Sequence, residues 1–495
     1  MATIKIDQDY IISEISPLLF SSFIEHMGRS VYHGIYEATH SEITKEGFRT
    51  DVLASIKELN LPLVRYPGGN FVSGYNWKDG IGTKRKPKLD LAWRQIEPNE
   101  IGLHEFMHYS KLANFDVMMA VNMGTGTPKE AGELVEYCNI SSGSEYSNLR
   151  IKNGDLSPFN IKYWCLGNEM DGSWQINSLT ADEYGRKAHE AAKIMRWIDP
   201  KISLIASGSS GPWQPTYPVW DRVILEHLYD DVNFLSIHRY YSLEKDFSTA
   251  DYLSSHIDLE KYIDEAFSVI KYVKALKRSK HDVFLSLDEW NIWHQKPIKE
   301  EKVYNNNYED EWTVGPRRVE NTFDFEDALT FFGLIISIIN NCDKVKISCL
   351  AQLVNVIAPI MTENNGRMVK QTIYYPFQLA RIFSEGVAIK PIVDSETINT
   401  HYGISKSLHC AVVKNENEYR VFILNKSPED SELNVILNGN LGIVRKHISI
   451  SGQLHAKNTF DYPNQILPID EPINDEKKIT LKGQSINVLV LKESK

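Results

Sequence analysis

Short, nearly all-apolar runs recur along the first 385 residues and alternate with stretches of helical periodicity. The runs fall at 18–23, 63–66, 116–122, 162–167, 203–206, 234–238, 283–288 and 346–352. Strands buried on both faces of a parallel sheet have this texture. Between them, 181–197 (ADEYGRKAHEAAKIMRW) reads as an amphipathic helix, with Thr180 as N-cap and Asp199-Pro200 as its stop. Residues 259–276 and 325–339 also place apolar side chains at helical spacing. Eight strands separated by helices predict an α/β fold, a (β/α)8 TIM barrel. The span of about 360 residues exceeds the typical ~250, so long loops are expected. The stretch 296–318, rich in Lys, Glu and Asn and holding Trp312, reads as one.

Beyond about residue 385 the helical periodicity stops, and short alternating runs such as 419–424, 434–437 and 485–491 take over. Turn signals (Asn438-Gly439, Gly452, Pro463, Lys482-Gly483) separate them, predicting an antiparallel β-sandwich. Residues 3–11 alternate in the same way and are expected to form one strand of that sandwich. The expected division is a barrel over 13–384 and a sandwich domain built from 1–12 and 385–495.

The length of 495 residues also argues for two domains rather than one core. A formal net charge of −11 without any basic tract speaks against nucleic-acid or anionic-membrane partners. No apolar run approaches the roughly 20 residues of a membrane helix, and the N-terminus lacks a secretory pattern. Five cysteines (Cys138, Cys165, Cys342, Cys349 and Cys410) are scattered without CxxC spacing, which fits reduced thiols in a cytoplasm.

Two of the apolar runs stop abruptly in an acid, at Glu169 and Glu289. A carboxylate in such a place costs several kcal/mol unless it is paired or has a task. Catalytic groups in this fold gather at the C-terminal ends of the strands. Those ends carry Glu25, then Arg65 to Asn70, then Asn168-Glu169, His238-Arg239-Tyr240, Glu289 and Gln352. Any one of them is readily explained as a loop anchor; together they form one polar rim. Paired carboxylates about 5–5.5 Å apart split a glycosidic bond with retention, one as acid/base and one as nucleophile. Trp93, Trp174, Trp290 and Trp293 lie where indoles stack on sugar rings, although Trp290 and Trp293 fit a core equally well. His104-Glu105-Phe106-Met107-His108 matches the HExxH pattern of zinc peptidases. It falls in the helix between the second and third strands, on the outer ring, with no third ligand in context. A structural helix is therefore expected there, and no metal.

The motifs Gly-Asn-Glu-Met-Asp-Gly-Ser-Trp-Gln (167–175), Asp-Glu-Trp-Asn-Ile-Trp (288–293), Phe-Ile-Glu-His-Met-Gly-Arg (23–29) and Arg-Tyr-Pro-Gly-Gly-Asn-Phe (65–71), in this sequence, resemble α-L-arabinofuranosidases of glycoside hydrolase family 51. Residues 349–361 fit equally well, and the likeness fades in the sandwich. The resemblance implies a retaining exo-enzyme that needs no cofactor, with Glu169 as acid/base and Glu289 as nucleophile. It implies that Glu25, Asn70, Asn168, Tyr240 and Gln352 hold the furanose, with Trp93 and Trp293 toward the leaving group. An arabinose-containing oligosaccharide is the implied substrate, and a homo-oligomer, often a hexamer, the implied assembly. Other readings are a different retaining barrel glycosidase (a β-xylosidase or endo-β-glucanase) or a non-catalytic carbohydrate-binding protein. An idle protein would not be expected to keep both glutamates.

Overall fold

The computed structural model describes residues 2–295, 312–473 and 475–492. Eight parallel strands close into a barrel in chain order. They are β1 (Ser21–Phe23), β2 (Leu63–Tyr66), β3 (Asp116–Val121), β4 (Tyr163–Leu166), β5 (Ser203–Ala206), β6 (Phe234–Tyr241), β7 (Phe284–Ile292) and β8 (Val345–Ala351). Each is followed by a helix of the outer ring: α1 (Thr50–Leu59), α2 (Leu103–Ala113), α3 (Pro128–Asn139), α4 (Ala181–Ile198), α5 (Val219–Leu228), α6 (His256–Lys277), α7 (Phe325–Asn340) and α8 (Tyr374–Phe383). Pairing of β8 with β1, Cys349 opposite Ser21, completes the ring. Inward-facing Leu63, Met118, Cys165, Ile205, Ile347 and Cys349 fill its interior, and the alternate residues, such as Val64 and Leu204, pack under the helices. Burial on both faces is why these strands read as unbroken apolar runs.

Local signals start the helices where the sequence places them. Thr180 accepts from the Glu183 amide while Glu183 reaches back to Thr180, a reciprocal cap on α4. Asp324 caps α7 likewise. Almost every residue of α7 is buried, because this helix lies between barrel and sandwich. Phe332 meets Phe422 with ring centroids 6.4 Å apart, and Asn340 donates to the Cys410 carbonyl at 3.0 Å.

The β-rich region has a seven-stranded sheet, ordered Ile11–Glu14, Val387–Ile389, Leu408–Asn415, Glu418–Asn425, Ser485–Lys492, Ile443–Ile450 and Ile469–Asp470. A second sheet holds Ile392–Asp394, Ala2–Ile6, Ser431–Leu437, Asn440–Leu441 and Ile479–Leu481. Val412, Val421 and Leu489 face the second sheet, whereas Val413, Phe422 and Val488 face the barrel side. The stretch 3–11 is not the single strand expected from its alternation. The chain turns at Asp7, whose carbonyl accepts from the Tyr10 amide at 3.1 Å and whose carboxylate accepts from the Asp9 amide at 3.0 Å. Its two halves enter different sheets. Ala2–Ile6 lies parallel to Ser431–Leu437, an exception to the antiparallel expectation.

Candidate active site

The C-terminal ends of the strands open into a cleft of about 1200 Å³. Glu25, Asn70, Trp93, Glu169, Tyr240, Glu289, Trp293 and Gln352 all line it. Asn168 stands just behind, 2 % exposed. These expected residues therefore meet in one cleft, whereas Tyr66 and Pro67 of the same strand end as Asn70 line a separate, smaller pocket.

Glu289 sits on β7, where the register with β6 and β8 slips, and the strand continues beyond the acid to Ile292. Both its oxygens are held: Oε1 accepts from Arg65 Nη1 at 2.6 Å, and Oε2 accepts from the Tyr240 hydroxyl at 2.8 Å. Arg65 points inward from β2 and its second nitrogen donates to Asn168 Oδ1 at 2.6 Å. Its Nε lies 3.8 Å from Asp288 Oδ2. One buried guanidinium thus fixes an acid, an amide and a second acid, as its planar fork permits.

Glu169 follows β4 with a backbone φ of +45°. A non-glycine residue pays for this left-handed conformation, and such strain is concentrated at functional positions. Its Oε2 accepts from Trp174 Nε1 at 2.7 Å and its Oε1 lies 2.9 Å from His238 Nδ1. His238, on β6, also lies 3.3 Å from Asp288 Oδ1 and 3.6 Å from Glu289 Oε2. Burial pulls the His238 pKa down, but the Glu289 charge and the bonds to Asp288 and Glu169 outweigh it and raise it to about 10. The ring is an imidazolium at neutral pH, donating from both nitrogens. Oxygens of Glu169 and Glu289 and a nitrogen of His238 all lie within 4.8 Å of one another.

Glu25 lies just after β1. Its Oε1 accepts from the Phe71 amide at 2.9 Å and from Trp93 Nε1 at 2.8 Å. Its Oε2 accepts from Gln352 Nε2 at 3.2 Å. Burial lifts its pKa to about 8 against those hydrogen bonds, with the Glu289 charge adding to the rise. Asn70 Oδ1 accepts from Asn168 Nδ2 at 3.2 Å and also from Gln175. Trp293 meets Tyr240 edge to face, with centroids 5.2 Å apart. Trp290 does not reach the cleft: it is 1 % exposed and stacks on Phe331 of α7. Most of 296–318 lies outside the described residues; Trp312 lies within them, under the Arg94 guanidinium.

Sequence reading did not single out Arg65, His238 and Asp288 as partners of the two glutamates, nor Trp213. The signal for the first three was present, since each is a charged or titratable residue interrupting a strand-end apolar run. Trp213 sits in a loop with no such context. The HExxH match is committed elsewhere: His104 lies 2.5 Å from both Asp155 and Tyr137, Glu105 pairs with Arg85, and His108 faces Glu46 at 3.3 Å.

Comparison with known proteins decides the family. The model of the α-L-arabinofuranosidase 1 domain matches residues 55–249, and that of the α-L-arabinofuranosidase C-terminal domain matches 288–485. An intracellular exo-α-(1→5)-L-arabinofuranosidase of Acetivibrio thermocellus is 44% identical over 86% of this chain and 85% of its own length. A Bifidobacterium longum exo-α-(1→6)-L-arabinofuranosidase is 41% identical over 93% of this chain and 90% of its own. Among solved structures, a family 51 α-L-arabinofuranosidase from Bifidobacterium longum superposes with a TM-score of 0.93 at 34% identity, covering 99% of both chains. The chain belongs to the α-L-arabinofuranosidases of glycoside hydrolase family 51. In this family 51 hydrolase the cleft that holds the two facing carboxylates is the candidate active site. Among the described residues no helix is long and apolar enough to cross a membrane.

Proposed function

We propose that this enzyme is a retaining exo-acting α-L-arabinofuranosidase, removing terminal arabinofuranosyl groups from arabino-oligosaccharides, arabinan or arabinoxylan fragments. The observation that carries the reading is the approach of Glu169 and Glu289 oxygens to within 4.8 Å. Retention needs carboxyl groups about 5–5.5 Å apart, whereas inversion needs roughly 6.5–9.5 Å. Glu289, gripped by Arg65 and Tyr240, attacks the anomeric carbon and forms a covalent glycosyl-enzyme. Glu169 protonates the departing oxygen, then takes a proton from the water that releases the sugar. Glu25, Asn70, Asn168, Tyr240 and Gln352 hold furanose hydroxyls. Trp93 anchors Glu25, and Trp293 forms the wall behind Tyr240. Strengthening of the Asn168 contact to the 2-hydroxyl in the transition state accelerates the step, because only such differential contacts do so.

Residues 13–384 form the catalytic unit in this proposal, with 1–12 and 385–495 as a supporting sandwich. The names of the relatives support a linear (1→5)-linked chain as substrate and a cytoplasmic location; the (1→6) relative keeps linkage as the property to measure. Five buried free thiols are compatible with a reducing compartment. The proposed assembly is a homo-oligomer, a hexamer being six times the 56.7 kDa chain by light scattering.

Nitrophenyl α-L-arabinofuranoside should be turned over far faster than the β-D-xyloside or β-D-glucoside; no turnover of the arabinoside would overturn the reading. Glu289→Ala should be inactive and rescued by azide to a glycosyl azide of inverted configuration. Glu169→Ala should lose far more on poor leaving groups than on nitrophenolate. Equal losses on both would refute the assignment of roles.

A further inference from the structure

Two tryptophans form an exposed pair on one side of the cleft. Trp174 is 43 % exposed and Trp213 59 % exposed, with ring centroids 5.6 Å apart and planes inclined by 35°. Exposure alone means little: Trp197 is more exposed still, but it stands on α4 with Lys193 over its ring. What distinguishes the pair is its place. Both indoles line the same cleft as Glu169 and Glu289, and Trp174 is bonded through Nε1 to Glu169 itself.

Both rings are also seated. Trp174 folds back over Gly172 and Trp213 over Gly211, so closely that a Cβ at either glycine would fall within the indole. The turns beneath are tied down: the Gly172 amide donates to the Glu169 carbonyl at 2.8 Å, and the Gln214 amide to the Gly211 carbonyl at 3.2 Å. Ser210, beside Gly211, donates from both its amide and its hydroxyl to Asp171, joining the two loops. The result is one apolar surface of two indole faces, open to water, in a cleft that Ser210, Glu244 and Lys245 also line.

The acid/base of the proposed mechanism stands beside the leaving-group oxygen. Trp174, bonded to it, therefore borders the first sugar beyond the scissile bond. Trp213 is the more exposed of the two and packs against Trp174, and among the described residues no hydrogen bond joins it to either glutamate. We propose that Trp213 builds a second leaving-group subsite, which takes the second furanosyl ring of a linear chain and makes the enzyme read substrate length. The C–H faces of a sugar ring suit an indole face, and the polar rim suits its hydroxyls. This inference rests on the arabinofuranosidase reading above.

The test compares kcat/KM for linear (1→5)-linked arabinobiose, which ends at the first leaving-group sugar, with arabinotriose, which reaches the second. The wild type should favour the triose by about fivefold to tenfold, the size of one aromatic stacking contact. Trp213→Ala should bring the triose-to-biose ratio close to one, and Trp213→Phe should restore part of it. If Trp213→Ala does not fold, a reduced ratio in Trp213→Phe supports the proposal in its place. An unchanged ratio in these variants, or no preference in the wild type, would overturn the proposal. Failure of the wild type on both sugars and on nitrophenyl arabinofuranoside would instead refute the underlying activity.

Discussion

Replacing Glu25 with glutamine should flatten the pH dependence of stability. Glu25 is 2 % exposed, and its pKa rises from 4.5 to about 8, chiefly through burial. Between these values the unfolded chain has released the proton while the folded protein still holds it. Fewer protons bound in the unfolded state means stability falls as pH rises. The penalty is absent below pH 4.5, grows between 4.5 and about 8, and is complete above that. At about 1.4 kcal/mol per pH unit, the whole penalty is ~5 kcal/mol. An unfolding entropy of about 2.1 cal/mol/K per residue gives a chain of this length ~1 kcal/mol per degree, so ~5 °C in melting temperature. Glutamine cannot ionise and escapes this term. It has a cost of its own: Oε1 accepts two N–H groups, so the amide oxygen must stay there and the NH2 must face the Gln352 donor. That mismatch costs about 1–2 kcal/mol at every pH. Melting curves from pH 5 to 9 should thus show Glu25→Gln below the wild type in acid and above it beyond pH 8. Asp90, Asp171 and Asp221 are also raised by burial, but they are common to both proteins and cancel in the difference. Parallel curves separated by a constant offset would refute the reasoning.

Two further substitutions probe the charges behind the glutamates. Arg65→Met strands Glu289 and Asp288 in a buried site and should cost about 3–5 kcal/mol in denaturant unfolding, along with nearly all turnover. Arg65→Lys should recover more stability than turnover, because a single ammonium cannot grip Glu289 and Asn168 as a fork; equal recovery of both would contradict that account. His238→Gln removes the ring that contacts Glu169 and Asp288 and, losing charge-assisted bonds, should lower kcat/KM on nitrophenyl α-L-arabinofuranoside by about tenfold or more; wild-type turnover in the variant would contradict that role.

The barrel was legible because its strands are buried on both faces, so each strand announces itself as an apolar run with a helix after it. The strand ends were less legible. β6 extends to Tyr241 and β7 to Ile292, beyond the runs read at 234–238 and 283–288, because the polar residues of the rim break the apolar pattern. The N-terminus misled for a different reason. Alternation continues through 3–11, and the chain is turned at Asp7 by its carbonyl and its side chain. Its parallel partner lies more than 400 residues away, beyond any local turn signal. At the site, residue types pointed to the two glutamates, and resemblance assigned their roles and the sugar. Their partners belong to other strands: Arg65 comes from β2 and His238 from β6, and a one-dimensional pattern does not show which strand ends face each other across a barrel.

The charge balance of the assembled site explains how so many acids tolerate one pocket. Glu25, pushed up to about 8 by burial, is mostly neutral at pH 7. Glu289 and Asp288 are offset by Arg65 and by the His238 imidazolium, both of them buried among the acids. Two acids and two cations therefore balance one another in the pocket. In the proposed mechanism positive charge develops at the anomeric carbon as the glycosidic bond breaks, and it is met by the Glu289 carboxylate that Arg65 and Tyr240 already orient. Preorganised groups of this kind stabilise the transition state without reorganising during the step. Asp288 shows why the neighbour of Glu289 is also an acid: Arg65 and His238 hold its pKa below the usual carboxylate value despite burial. Its charge in turn keeps both cations where Glu289 and Glu169 need them.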